Sequence, residues 1–463
     1  MTRAPLLGVA IAAASLMLAL SSPQSGNLAL ALFTGNTILL AHALPHVLGP
    51  QSFAASQSTW VVRGWLGSLA IAAVYSAGGY AALAGMQAFV AGCAVVLVEL
   101  RARARGIGDA GTGFALALVL VSSAGSLHVG GSVADLAFAA AILLLLDEPS
   151  RARAWLAVPL AALWMNVSSF GLLAPLFAFG TLLGTYVQER TLNERVRPAL
   201  FLFAAMAVAI VLTPAGIQPY IQAMSYLGFD PATAPAPWEP VRVNPVAFFV
   251  GFIPMIIFCA WIGLRRTGRA ADVILALTAL LLALLHGEYL GIAGVVVAPV
   301  MAVALESATQ RRGANEALAA VSAGAVLCAA VFALLTGIAC SVRGTQVLDS
   351  AHDQVAAIDR LAADGQAHHL YCVNPVWCVY ALLRAPHSLA VFTDTRSDAY
   401  PPSVREDAAH IAAENVGWKR TLELRKIDAV LAPNGALSSL LTLLPQWQRL
   451  PLQHADVALF VRR

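Results

Sequence analysis

The first 98 residues contain neither aspartate nor glutamate, and the first acidic residue is Glu99. This absence leaves the front of the chain without a carboxylate that could serve as a catalytic base. Charge is scarce elsewhere too: 11% of the residues are charged, against about 25% in a soluble globular domain. A wholly soluble protein is therefore excluded, and most of the chain requires lipid as its solvent.

Motifs of several other protein classes are also absent from the sequence. We find no Gly-rich phosphate loop, no nucleophile elbow and no zinc-ligand spacing. The net charge of +3 is small. It lies mostly in short arginine-bearing segments, so it indicates membrane topology and not nucleic-acid binding. The sequence predicts no cofactor, no metal and no nucleic-acid partner.

Long apolar runs dominate the chain, and 59% of its residues are hydrophobic. A membrane-spanning helix needs about 20 apolar residues. Candidate spans lie near 5–22, 81–100, 110–127, 132–147, 155–170, 172–187, 198–213, 245–264, 272–286, 288–305 and 317–340. The first is predicted to be a retained helix, because no clean signal-peptide cleavage site follows it.

Arginine clusters set the predicted topology. They are Arg101/Arg103/Arg105, Arg151/Arg153, Arg190/Arg195/Arg197, Arg265/Arg266/Arg269 and Arg311/Arg312. Each consecutive pair of clusters encloses two spans, so all five can lie on the cytoplasmic side. We therefore predict an α-helical polytopic membrane protein with about 11 spans, a transmembrane region at 1–340 and a small extracytoplasmic α/β domain at 341–463.

One apolar segment, Gly64 to Gly79, does not fit the span pattern. A crossing there breaks the parity, so we place it in or along the outer leaflet, and counts of twelve or thirteen spans remain alternatives. Two outer loops are long. The first, 23–63, contains an amphipathic stretch, Asn27 to His46, predicted to lie on the membrane surface. The second, 214–244, is rich in proline and is predicted to be extended.

The tail has the pattern of a small sheet with helices packed on it. We predict helices at 351–363 and 403–415 and strands at 389–393, 429–432 and 457–461. Cys372 and Cys378 are outside in this topology, where an oxidising compartment permits a disulfide. The spacing alone leaves a bridged and an unbridged pair equally open. A metal site there lacks ligands, although His368 and His369 are near.

Several motifs occur in order along the chain. Trp164 and Asn166 fall at an outer hairpin, Thr213 to Gly216 precedes Tyr220, and Trp238-Glu239-Pro240 lies in the next loop. In the tail, Val391 to Tyr400 reads VFTDTRSDAY after a predicted strand. In these motifs and their order, over most of its length, the chain resembles a bacterial family of polytopic proteins with the glycosyltransferase C (GT-C) architecture.

The resemblance implies transfer of a sugar from a polyprenyl-phosphate carrier to an envelope glycan, lipid or protein at the outer face of the inner membrane. It also implies a general base in the first outer loop. Here this chain departs from the family. Asn27, Ala31, Gly49 and Gly64 stand where the family has Asp, His, Asp and Glu, and neither Asn nor Gly can accept a proton.

Candidate site residues follow, each with a simpler alternative. His42 and His46, four apart on the predicted surface helix, could replace the missing base, or they form a polar face at the lipid boundary. Arg63 and Arg242 suit a lipid phosphate, or they anchor the chain beside the membrane.

A second group is predicted to line an outer cavity between the first loop, the 164–166 hairpin and the 214–244 loop. Its members are Trp164, Asn166, Tyr220, Trp238 and Glu239. An interfacial aromatic with a helix cap is the alternative at Trp164 and Asn166. His286 and Glu288 end a span on the outside, where ionisable groups mark a site or a solvated hairpin.

The tail residues are assigned structural roles. Arg396 is predicted to bridge Asp394 and Asp398 and to fasten the tail to the membrane region, and Cys372 and Cys378 are the candidate bridge.

Two functional hypotheses follow with equal weight. The first is a glycosyltransferase-like protein acting on lipid-linked sugar, with membrane lipid around it and an envelope acceptor as its partner. The second is a non-catalytic relative that binds lipid-linked sugar or scaffolds an envelope-polysaccharide complex. Transport is the least favoured, because Asp135 alone approaches mid-membrane, and it lies near one end of its span.

Overall fold

A computed structural model of the chain describes residues 4–23, 25–148, 150–218, 220–221, 247–265, 269–307, 318–365, 367–452 and 456–463. Their contacts divide the chain into two compact units. The helical unit contains Met1–Ser22 and Val74–Thr345, and the loop–tail unit contains Pro23–Ala73 and Gln346–Arg463. Most of the first outer loop therefore groups with the tail, and not with the rest of 1–340 as the sequence predicted.

Each apolar segment predicted from the sequence contains a helix. Up to residue 343 the described helices are α1 (Ala4–Leu20), α2 (Ser25–Ala41), α3 (Trp65–Ala104), α4 (Asp109–Ser122), α5 (Val133–Leu146), α6 (Arg151–Val167), α7 (Leu173–Glu189), α8 (Val196–Ala209), α9 (Ile253–Arg265), α10 (Ala270–Leu285), α11 (Leu290–Ser307) and α12 (Leu318–Arg343). A π-helical turn, Ala247–Phe252, precedes α9.

Within the described residues, three helical segments are long and apolar enough to cross a membrane: Trp65–Ala104, Ser169–Glu189 and Gly287–Ala304. The count of about 11 spans therefore stays a prediction. Non-helical backbone at Gly78 and Gly79 interrupts α3. Gly79 has a φ of +63°, which glycine adopts without a Cβ clash. The Gly64–Gly79 segment thus forms the part of α3 before this kink.

A buried network of ion pairs joins the predicted cytoplasmic ends of several helices. Arg101 is fully buried, and its guanidinium donates to Asp147 Oδ2 and to the Val295 carbonyl, both at 3.0 Å. Arg105 pairs with Asp147 and, at 2.8 Å, with Asp272. The charges of the two arginines and the two aspartates cancel. Arg101 and Arg105, which the sequence analysis used as markers of the cytoplasmic side, therefore have a structural role inside the protein.

The tail forms a five-stranded sheet in the order β2-β1-β3-β5-β4. Its strands are β1 (His369–Cys372), β2 (Ala390–Val391), β3 (Ala429–Pro433), β4 (Trp447–Leu450) and β5 (Val457–Arg462). β1 runs parallel to β2 and β3, and β5 runs antiparallel to β3 and β4. The helices of the tail are α13 (His352–Asp364), α14 (Pro375–Arg384), α15 (Pro402–Ala412), α16 (Trp418–Leu424) and α17 (Ala436–Thr442). The small α/β tail predicted from the sequence is therefore present.

The first loop completes the core of the tail. Ala29, Phe33, Leu48 and Trp60 are buried in one apolar cluster with residues of the sheet and its helices. Within the stretch from residue 27 to 46, Ala29 and Phe33 therefore pack against protein, and the prediction of a membrane-surface position is corrected for these two side chains. Backbone contacts also join the first loop to the tail.

The loop also reaches the edge of the sheet. Ser52 forms a parallel bridge with Val391 of β2. The Val391 amide donates to the carbonyl of Gln51 at 2.7 Å. A strand edge that would otherwise present unpaired backbone groups is thus covered in part by the first loop.

Candidate functional site

A buried ion pair lies at the junction of loop and tail. The Arg396 guanidinium donates to both Asp394 oxygens, at 3.0 Å from Nε to Oδ1 and 2.6 Å from Nη2 to Oδ2. Nη2 also donates to Ser52 Oγ at 2.9 Å. The Tyr400 hydroxyl donates to Asp394 Oδ2 at 2.8 Å, and burial raises the pKa of this hydroxyl well above its usual range. The carboxylate is saturated with donors, which marks a structural group.

Aromatic rings of the first loop cover this pair. The guanidinium carbon of Arg396 lies 4.5 Å from the ring centroid of Trp60 and 5.5 Å from that of Phe33. Both distances suit a cation–π contact. Arg396 therefore fastens the tail to the first loop, within one unit of the protein.

The sequence predicted that Asp398 shares Arg396 with Asp394. Instead, Asp398 accepts a hydrogen bond from Arg63 Nη2 at 2.7 Å. Arg63 was a candidate for a lipid phosphate, and its guanidinium is engaged with a carboxylate here. The two acids of the tail motif thus each have their own arginine, one from the motif itself and one from the first loop.

Cys372 and Cys378 form a disulfide. It joins the end of β1 to α14, whose first turn is capped by the Asn374 side chain accepting from the Val376 amide at 3.0 Å. Helix α2 passes this ring at close range, because a Cβ on Gly26 would lie 2.7 Å from Val376 Cγ1. The bridged ring is therefore part of the surface on which the first loop packs.

His42 and His46 do not share a helix face, which corrects the predicted arrangement. Helix α2 ends at Ala41, and His42 has a φ of +50°, in the left-handed region. Both side chains are exposed. Asn27 is exposed near the start of α2. None of the three is held by burial in a defined pocket.

In the helical unit, the structure brings together residues at the predicted outer ends of α5, α6 and α10. Asp135, 3% exposed, begins α5 and accepts a hydrogen bond from Trp164 Nε1 at 2.7 Å. Ser168 also donates to it. Trp164 is fully buried and stacks on Phe138, with ring centroids 5.8 Å apart. Trp164 is thus a hydrogen-bonded core residue, and not an exposed interfacial aromatic.

A second carboxyl group lies within electrostatic range of the first. Glu288 lies in the 3₁₀ turn Gly287–Tyr289 between α10 and α11 and is half-buried. Its carboxyl group interacts electrostatically with Asp135, and Tyr289 interacts with both acids. The Tyr289 ring meets Phe170 edge-on at 4.9 Å. No ion pair between either acid and a cation occurs in the described part of the chain.

A buried hydroxyl lies against the segments that contain these two acids. Ser123 is 1% exposed, and its hydroxyl has no hydrogen-bond partner among the described residues. A Cβ on Gly291 would lie 3.1 Å from Ser123 Oγ and 3.0 Å from Leu136 Cδ2. Leu136 follows Asp135, and Gly291 lies three residues after Glu288, so the hydroxyl stands beside both segments. A buried polar atom without a partner is costly in an apolar environment unless a ligand or water satisfies it.

We term Ser123, Asp135, Trp164, Glu288 and Tyr289 the outer carboxylate site. Sequence reasoning considered Glu288 as one end of a span and Asp135 only in connection with transport. An ionisable side chain in an apolar helix is energetically costly, and such residues mark functional sites. This cost is the signal in the sequence that both acids share.

The other predicted site residues divide into two groups. Asn166 Nδ2 donates to the carbonyls of Ala162 and Leu212 at 2.8 and 3.0 Å. The Tyr220 hydroxyl donates to the Ala207 carbonyl at 2.8 Å. Both side chains therefore tie helices together. Trp238, Glu239 and Arg242 lie outside the described residues.

Two solved structures resemble this chain along nearly all of its length. One is the oligosaccharyltransferase AglB from Archaeoglobus fulgidus, in complex with an inhibitory peptide and a dolichol-phosphate. Its TM-score is 0.58 at 12% identity, with 93% of this chain and 69% of that chain covered. The other is ArnT from Cupriavidus metallidurans bound to undecaprenyl phosphate, with a TM-score of 0.54 at 12% identity, 98% of this chain and 97% of that chain covered.

The fold is GT-C-like. No protein-family model matches the chain, and no curated protein sequence matches it. The likeness to both structures is found at 12% sequence identity. At such identities it establishes the fold, and the chemistry has to be argued from this chain's own residues.

Proposed function

We propose that this protein handles a polyprenyl-phosphate-linked sugar at the outer face of the bacterial inner membrane and transfers the sugar to an envelope glycan, lipid or protein. The observation that carries the proposal is the GT-C-like fold, shared over nearly the whole chain with proteins solved with dolichol-phosphate or undecaprenyl phosphate. In this proposal the tail is extracytoplasmic.

The outer carboxylate site supports the proposal through its composition. Carboxylates accept hydrogen bonds from hydroxyl groups, and ligand sites combine aromatic walls with a few convergent polar groups. The site combines two carboxyl groups with the rings of Trp164 and Tyr289, and the arginine clusters predict that these helix ends are on the outer side. Sugar chemistry therefore fits it better than ion transport, which requires ionisable groups along a path through the membrane.

A non-catalytic binding or scaffold subunit is the second candidate. It is favoured by the first loop, which has no acid and whose Arg63, Trp60 and Phe33 are engaged with the tail. In that case the protein binds the carrier lipid and the loop–tail unit presents a surface to other envelope proteins.

Turnover by the purified full-length protein separates the two. The donors are undecaprenyl-phosphate esters of glucose, galactose, mannose and N-acetylglucosamine, with an envelope extract as acceptor, and release of undecaprenyl phosphate is measured. We expect release by the parent. Silence of the parent with undecaprenyl phosphate still bound would show a binding subunit, and activity that appears only in Asn27→Asp would show a disabled transferase.

The histidines are tested in the same assay. His46→Ala and His42→Asn are suitable, the second because Asn tolerates the left-handed backbone at position 42. Loss of turnover in either variant would identify a histidine that replaces the first-loop acid. We expect neither to lose it, because both side chains are exposed and the outer carboxylate site supplies acids.

Cysteine labelling tests the topology. In a background without the four free cysteines, Val416→Cys places a thiol in the tail at a residue that is 99% exposed. Glu148→Cys places one at the predicted cytoplasmic end of the helical unit. A membrane-impermeant maleimide added to spheroplasts should label position 416 and not position 148. The reverse pattern would contradict an extracytoplasmic tail.

A further inference from the structure

We propose that Glu288 is the catalytic residue that accepts the proton of the acceptor hydroxyl, and that Asp135 is its positioning residue. This assignment rests on the proposed function and adds the group that the acid-free first loop lacks. It places the base between α10 and α11, about 225 residues beyond the end of the loop where the family resemblance implies one.

Exposure separates the roles of the two acids. Asp135 is 3% exposed, and its carboxylate is held by the Trp164 indole and by Ser168. Glu288 is half-buried in a short turn, and its carboxylate has no ion-pair partner in the described residues. A substrate can therefore reach Glu288, whereas Asp135 stays fixed and acts on Glu288 through its charge.

Pairing of the two acids suits proton transfer. Two carboxyl groups that interact without a nearby cation resist being ionised at the same time, and one of them then holds a proton readily. Paired carboxyl groups in different environments divide acid and base roles in this way.

The unpartnered Ser123 hydroxyl is an independent sign that a ligand belongs here. It is buried beside Leu136 and Gly291, and a sugar or acceptor hydroxyl at the site would satisfy it. Acids alone do not define a site, since solvated or structural acids are common. An acid pair together with a buried hydroxyl that lacks a described partner and with aromatic walls has the composition of a binding site.

With Glu288 as the base, the proton and each bond formed or broken in the sugar transfer are accounted for. The acceptor O–H proton passes to a Glu288 carboxylate oxygen as the acceptor oxygen forms a bond to the anomeric carbon of the donor. The bond from the anomeric carbon to the phosphate oxygen breaks, and its electron pair leaves with the polyprenyl phosphate. The products are the glycosylated acceptor, the carrier phosphate and protonated Glu288, which returns its proton to water.

The test is the turnover assay applied to full-length Glu288→Gln, with binding of undecaprenyl phosphate and thermal unfolding measured beside it. We expect turnover to fall by about 10²–10⁴-fold, with lipid binding and the unfolding temperature unchanged. The matched control is Glu148→Gln, an exposed acid at the other end of α5, which should keep parental turnover.

Asp135→Asn should lower kcat with little change in the KM for the donor, and Asp135→Glu should restore part of it. A purely structural role would instead change lipid binding and unfolding in both variants alike. Should Glu288→Gln not fold, Glu288→Asp takes its place. It retains a displaced carboxylate and should give partial turnover, and full parental turnover would overturn the assignment.

The outcomes distinguish the two proposals. Turnover by the parent that Glu288→Gln retains within tenfold overturns the assignment of the base and leaves the proposed function standing. Silence of the parent with every donor overturns the transfer itself, and with it this assignment. Turnover lost only in the Glu288 and Asp135 variants supports both.

Discussion

Two buried carboxylate sites in this protein differ in how their charge is balanced. Asp394 in the loop–tail unit is met by Arg396, Tyr400 and the surrounding rings, and its oxygens are saturated with donors. At the outer carboxylate site, Asp135 has neutral donors, and neither it nor Glu288 forms an ion pair with any described cation. The first arrangement stabilises a fold, and the second is suited to proton transfer.

The comparison shows what to look for when a catalytic motif is missing. The tail motif contains three charged residues within five positions after a strand, yet its acids are paired with arginines and hold the first loop to the tail. The outer carboxylate site is sparse in sequence, with two acids about 150 residues apart, and it becomes visible only when the helices are assembled. Charge density in sequence and chemical availability in space point to different residues here.

Removing the cation from the matched site should have the largest effect on stability. Arg396→Met leaves Asp394 buried without its counter-charge, which costs about 3–5 kcal/mol. The expected result is early unfolding of the loop–tail unit, measured by protease resistance of the tail during heating. Arg384→Met is the control, since its pair with Asp359 is exposed at the surface and is worth about 1 kcal/mol or less. Equal losses in both variants would contradict the comparison.

Changing a neutral donor at the outer carboxylate site should have a smaller effect on stability and a visible one on chemistry. Trp164→Phe keeps an aromatic ring but removes the indole N–H that Asp135 accepts, at a cost of about 1–3 kcal/mol. We expect a lower unfolding temperature together with reduced turnover. Trp155→Phe, at an exposed residue of the same helix, should change neither. Unaltered turnover in Trp164→Phe would argue against Asp135 as a positioning residue.

Alkaline titration probes the matched site from its tyrosine. The folded-state pKa of Tyr400 is raised by burial, with Asp394 adding to the effect, so the folded state holds this proton more tightly than the unfolded state. Its stabilising effect is fully present below the unfolded pKa of about 10. Above that pH it is lost, by up to about 1.4 kcal/mol per pH unit.

Unfolding of the loop–tail unit measured between pH 9 and 11 should therefore show a steeper loss of stability for the parent than for Tyr400→Phe. Parallel pH profiles would mean that Tyr400 ionises as easily in the folded protein as in the unfolded chain. Tyr371 and Tyr380 contribute to the remaining slope, because burial raises their pKa as well.

The smallest expected change is at the partly exposed pair of the junction. Arg63→Gln removes the contact with Asp398, whose side chain is 18% exposed, and should cost about 1 kcal/mol or less. A test of binding to undecaprenyl phosphate separates this structural role from the predicted phosphate contact. Unchanged binding would leave Arg63 as a fastener, and a large loss would restore it as a lipid ligand.

Much of the helical architecture could be predicted, because apolar runs of sufficient length have few alternatives in a chain with so little charge. Elements were missed where local signals were short or ambiguous. β1 has only four residues, and α14 begins almost directly after it, at Pro375 with Asn374 as its cap. The kink at Gly78 and Gly79 explains why the segment before it had no clear place in the span pattern.

The sites were less accessible to sequence reasoning for a physical reason. The apolar side of α2 fits a membrane surface and a protein core equally well, so periodicity does not tell which one buries Phe33. Likewise, the sequence does not show which of its two neighbouring acids Arg396 pairs with. In the folded protein Arg396 pairs with Asp394, and Asp398 pairs with Arg63. Asp135 and Glu288 come from different helices, and their pairing is a property of tertiary packing alone.

The loop–tail unit also constrains the order of biosynthesis. Its two pieces, 23–73 and 346–463, are separated by all of the intervening helices, and a ribosome makes about 5–20 residues per second. The first loop is therefore synthesised well before the segment containing Arg396 exists, with Phe33 and Trp60 still lacking their partner. A C-terminal truncation that removes Arg396 leaves Phe33 and Trp60 permanently without this partner. Cellular quality control should then recognise the exposed first loop, although the defect lies in the C-terminal tail.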